Sequence, residues 1–137
     1  MRRKPCLTSD DVCKIVAACQ HAGANIKREP TVAVVDSGGH LLHLERPDRN
    51  GVNTVEMSTL KARTAALRGR PSSAFETRVK ERPGFLMVPN CLGVVGGVPI
   101  LFEGECLGGV GVSGIDHDDE RIAQAGVDAF QGGNTLA

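Results

Sequence analysis

From Gly93 to Gly114 the chain reads GVVGGVPILFEGECLGGVGVSG, two apolar, β-branched runs joined by Glu103-Gly104-Glu105. That arrangement predicts a β-hairpin. In its first strand Val98, Ile100 and Phe102 alternate with Pro99, Leu101 and Glu103, so the strand is bulky. In the second, Val110 and Val112 alternate with glycines, so one face is nearly bare. A bare strand face leaves room for another element to dock, whether a helix, a second subunit or a flat ligand. The rest of the sequence has to supply that element.

At 137 residues the chain suits one domain with a single core, spanning residues 1–137 with frayed tails at 1–6 and 131–137. Sixteen Lys and Arg balance sixteen Asp and Glu. This balance argues against nucleic acid or an anionic membrane surface as partner, because both need a net basic face. The one basic run, Arg2-Arg3-Lys4, is followed by Pro5, and no segment approaches the roughly 18 apolar residues that cross a bilayer. A cytoplasmic location is therefore expected. Cys6, Cys13, Cys19, Cys91 and Cys106 are an odd number without C-x-x-C or metal spacing, and read as reduced thiols. Cys19 suits a helix core, whereas Cys91 sits in a Pro/Asn/Gly loop. Four Phe and no Trp or Tyr leave little for base stacking or aromatic cages.

The spacing predicts a first helix over Ser9–Asn25, opened by Thr8-Ser9-Asp10-Asp11 and carrying Val12, Ile15, Val16 and Cys19 on one face. Thr31–Val35, the turn Asp36-Ser37-Gly38-Gly39 and His40–Glu45 form an N-terminal hairpin. A second helix holds Val52, Val55, Leu60, Ala62 and Ala66, stops at Gly69 and Pro71, and is rich in small residues that favour close packing. A short third helix follows, then an irregular loop between Arg82 and Asn90, the second hairpin with room for one more strand, and a last helix carrying Ile122, Ala125, Ala129 and Phe130. Hairpins imply antiparallel pairing, and helices at these intervals must cover the sheet. The fold class is α+β.

Four segments stand in a telling order: Val34–Leu41 (VVDSGGHL), Lys61–Ala66 (KARTAA), Gly96–Ile100 (GGVPI) and Gly108–Gly114 (GGVGVSG). Through them the chain resembles the GlcG/HbpS-like family, which includes haem-binding proteins and the C-terminal domain of PduO-type corrinoid adenosyltransferases. The likeness runs from Leu7 to Phe130. It implies a profilin-like fold with a five-stranded antiparallel sheet flanked by helices, a homo-oligomer, and haem or another tetrapyrrole as ligand.

Among single residues, His40 and His43 lie three apart on a strand, point to opposite faces and cannot share a metal. His40 follows the Asp36 turn, where a carboxylate can orient an imidazole toward haem iron; the alternative is an exposed ring in ordinary hairpin geometry. Asp36 either assists it or serves its own turn. Lys61 and Arg63 can meet the carboxylates of haem or of a small organic acid, but positions two apart diverge by about 200° on a helix, so one ligand does not take both. One of the two then has a structural role, and an Arg63–Asp36 ion pair is a competing assignment. Cys91, Gly96 and Gly97 can line an entrance with backbone N–H groups and a thiol, and Ser113 can contact the ligand from the end of the last strand. The glycines lack the spacing of a nucleotide loop. Asp116 suits the cap of the last helix.

Two functional readings follow. In one, the chain binds haem in a glycine-lined groove with His40 as iron ligand, and acts in haem degradation or redox sensing. In the other it is a small lyase or isomerase for an organic acid, with Asp36 or His40 as acid/base group and Lys61 or Arg63 binding the carboxylate. No ordered Ser-His-Asp or H-E-x-x-H motif supports a hydrolase. An accessory subunit that assembles without ligand is a third possibility.

Overall fold

The structure, a computed structural model, describes residues 1–134. Helix α1 spans Ser9–Asn25, strand β1 Thr31–Asp36, β2 Leu41–Glu45, α2 Asn53–Arg68, α3 Ser72–Glu81, β3 Gly97–Phe102, β4 Glu105–Ser113 and α4 Asp119–Gly133. Thr8 and Asp11 close a reciprocal capping box at the start of α1, the local reason this helix begins where its sequence predicts. The last helix runs on through Gln131–Gly133 instead of fraying after Phe130; residues 135–137, also expected to fray, lie outside the described residues.

The strands form one antiparallel sheet in the order β2-β1-β4-β3. Among the described residues it has four strands, which corrects the five expected. The segment between α3 and β3, expected as an irregular loop, holds a 3₁₀ turn at Pro83–Met87 and a left-handed Asn90 and supplies no further strand. Pro83 and Pro89 also lack the N–H that a ladder needs. The β3–β4 turn places Glu103 and Gly104 at φ 49° and 78°, as a two-residue turn that matches strand twist requires.

Alternation along the two central strands sorts side chains to opposite layers. Val32, Val34, Val110 and Val112 enter the larger core beneath α1 and α4, with Ile15, Cys19, Ile122, Val127 and Phe130. Ala33 and Val35 face the other way, toward Ala62 and Ala66 of α2. The bare face of the second hairpin is filled by α2. A Cβ at Gly111 would lie 1.9 Å from the Ser58 carbonyl oxygen, one at Gly109 2.3 Å from that of Ala62, and one at Gly97 2.1 Å from that of Lys61. Helix backbone thus rests on strand backbone, and the groove expected to hold a flat ligand is occupied by protein.

Candidate functional site

The residues singled out in the sequence separate into an exposed group at the β1–β2 turn, a buried group behind α2, and Cys91 in a loop.

At the turn, the Asp36 carboxylate oxygen Oδ1 accepts the backbone N–H of Gly38 at 2.9 Å and of His40 at 3.0 Å. Its side chain therefore builds the turn. The same oxygen lies 3.3 Å from Nδ1 of His40, whose side chain is 81% exposed. Partial burial acts to raise the Asp36 carboxyl, but the two N–H donors and the nearby imidazole outweigh it and hold the group below its ordinary value. From α2, the Arg63 Nε–H donates to the Gly39 carbonyl at 2.8 Å, and the arginine stem packs against Gly39. Arg63 thus reaches the turn through its backbone and not through the Asp36 carboxylate. It forms no ion pair among the described residues, so the outer guanidinium nitrogens keep their donors. Gly39, at φ 83°, admits this approach. His43, three residues beyond His40, is half-buried; its Nε2 sits 3.8 Å from Glu45 and has no hydrogen-bond partner among the described residues.

Lys61, Gly96, Gly97 and Ser113 come together elsewhere. Lys61 is fully buried, at 1% exposure. Its ammonium donates to the Val112 carbonyl at 3.0 Å and to Oδ2 of Asp119 at 3.1 Å. Oδ1 of Asp119 accepts the backbone N–H of Ile115 at 2.9 Å. Burial pushes the Asp119 carboxyl above its ordinary value, with Lys61 pulling the other way. Gly96 leaves space for the lysine: a Cβ there would sit 2.9 Å from Nζ. Gly97 donates its N–H to Ser72 Oγ at 2.8 Å. The Ser113 hydroxyl is buried with no partner. This cluster ties α2 to β4 and α4.

Cys91 is half-buried, and its neighbour Leu92 donates a backbone N–H to Thr64 of α2 at 2.7 Å. Sequence reading placed Asp119 only in the acidic run Asp116–Asp119 that opens the last helix and missed its pairing with Lys61. It gave the cap to Asp116, which is instead left-handed at φ 57°. The available signal was local, an acid four residues after Ile115 at a helix start, but its pairing with Lys61 spans 58 positions. Among the described residues no group of three or more His, Cys, Asp or Glu is placed to hold a metal ion, and no helix is long and apolar enough to cross a membrane.

Residues 7–128 match the family described as haem degrading protein HbpS-like. Protein GlcG of Escherichia coli strain K12 is 37% identical over 114 residues, covering 82% of this chain and 85% of that protein. Among solved structures, a double mutant of Streptomyces reticuli HbpS superposes with a TM-score of 0.87 at 30% identity, covering 93% of this chain and 89% of the other. A PduOC:heme complex shares the fold, with a TM-score of 0.81 at 22% identity over 91% of this chain and 95% of the other. A family match across residues 7–128, most of the chain, places the protein in the HbpS-like family.

Proposed function

We propose that the protein binds haem or a related tetrapyrrole at the β1–β2 turn, with His40 as iron ligand. The observation that carries this is the Asp36–His40 pair. A carboxylate beside Nδ1 orients the imidazole and leaves Nε2 for iron, and such a carboxylate raises the basicity of the ligating ring. The residues fit the group in two further respects. Arg63 has donors to spare for a propionate. Leu41, next to His40, offers exposed apolar surface. Bound iron supplies one-electron and peroxide chemistry, and His40, Asp36 and Arg63 supply binding and orientation. An exposed ligand suits a protein that yields haem for degradation or reports a redox change. Lys61, Gly96 and Gly97 act in this reading by holding α2, which carries Arg63, against the sheet.

The free donors of Arg63 beside an Asp–His pair also suit a small carboxylic acid, with His40 as acid/base group. Absorbance titration with haemin separates the two. Haem binding predicts a saturable Soret shift at one haemin per chain, lost in His40→Ala and weakened in Asp36→Asn, with His43→Ala unchanged. Uptake that does not saturate leaves the acid-binding reading, and a saturable shift that survives His40→Ala rules out His40 as the iron ligand.

A further inference from the structure

We infer that the protein carries a second ligand site, an arginine-lined cleft that binds a small polyanion bearing two or more phosphate or carboxylate groups. The cleft, of about 480 Å³, lies along α3 beside the end of α2, and is lined by Arg68, Arg70, Thr77, Arg78, Glu81 and Phe85. Its volume falls in the range of small-molecule sites. Three arginines face one glutamate in a chain whose formal net charge is zero, so the charge is concentrated by placement and not by composition.

The guanidinium groups are also held in place. Arg68 stacks 4.6 Å over the buried Phe75 ring, while Arg78 and Arg82 lie 4.9 and 5.5 Å over Phe85. The two rings meet edge to face at 6.3 Å, joining these contacts into one platform. Stacking fixes the plane of a guanidinium and leaves its edge donors free, which is what bidentate recognition of phosphate or carboxylate needs. Only Arg78 has a carboxylate partner, Glu81 at 3.8 Å; Arg68, Arg70 and Arg82 have none among the described residues. Basic residues at the ends of α2 and α3 do complement the helix dipoles. That role accounts for neither the ring stacking nor Arg70, which lies in neither helix. Arg68 is five residues beyond Arg63, about 140° around α2, so this cleft and the His40 turn face different ways.

Calorimetric titration of the full chain at low salt with inorganic pyrophosphate, and separately with citrate, tests the inference. Saturable one-to-one binding of either probe, weakening as salt rises, is the expected result. Arg70→Gln and Arg78→Gln, both at exposed positions, should each reduce affinity about tenfold or more with unchanged melting temperature, and Arg63→Gln should not. Pyrophosphate alone binding identifies a phosphorylated ligand, citrate alone a polycarboxylate. No saturable heat with either probe, or affinity indifferent to both cleft variants, overturns the inference, and neither outcome bears on haem at His40.

Discussion

One methyl group added at Gly111 would meet the Ser58 carbonyl oxygen at 1.9 Å, whereas at Gly69 it would meet nothing within 4 Å. The same substitution therefore costs for different reasons. At Gly111 helix α2 must lift off the sheet, and Gly111→Ala should destabilise by about 3 kcal/mol. Gly69 caps α2 at φ 64°, so Gly69→Ala should cost about 1 kcal/mol through backbone strain alone, and Gly69→Asn less. Urea unfolding midpoints check both. Asp36 makes a prediction in pH. Its folded pKa lies below the ordinary 3.8, so its contribution is present above the unfolded value and is lost as pH falls through the folded one. Asp36→Asn should flatten the acid limb of stability against pH, modestly because the side chain is 40% exposed; an unchanged limb would remove Asp36 from the account.

Between elements, the buried Lys61–Asp119 pair is the strongest specific tie. Lys61→Met strands a carboxylate at 5% exposure and should cost about 3–5 kcal/mol near neutral pH. Without the lysine, burial of Asp119 is opposed only by the Ile115 N–H, and its folded pKa rises further. The folded variant then holds a proton that the unfolded chain releases from pH 3.8 upward, so its stability should fall as pH rises, by about 1.4 kcal/mol per unit within that window. Lys61→Met with Asp119→Leu should recover most of the loss and abolish the slope. A single variant as stable as the parent across that range would show that the pair contributes little.

At the scale of the molecule, the two sheet edges are treated differently. On β3, Pro99 removes a donor and Gln131 covers the Leu101 carbonyl at 3.4 Å. Among the described residues the β2 edge has no such guard, and beyond Leu41 it exposes Leu42 and Leu44 at 45% and 37%. We expect a second copy of the chain to cover it, in keeping with the homo-oligomer expected from the family. Light scattering after size exclusion at micromolar concentration should then give a multiple of 14.4 kDa, and Leu42→Lys with Leu44→Lys should give the monomer. A monomeric parent protein would leave this edge unpartnered.

The sequence by itself determined the elements and the class. The cap at Thr8, the alternation of Val98, Ile100 and Phe102, and the stop at Gly69 are local patterns, because helix and strand periods and cap chemistry are set within a few residues. The small residues of α2 and the glycines of β4 were legible as surfaces for close approach, and so was Asp36 as the builder of its turn. That the two close surfaces meet each other, and not a ligand, was decided only by the tertiary structure. So was the fate of the two cations on α2. Arg63 comes to the His40 turn and Lys61 goes inside to Asp119, since burial and pairing across 58 positions depend on how distant segments pack and not on spacing along the chain.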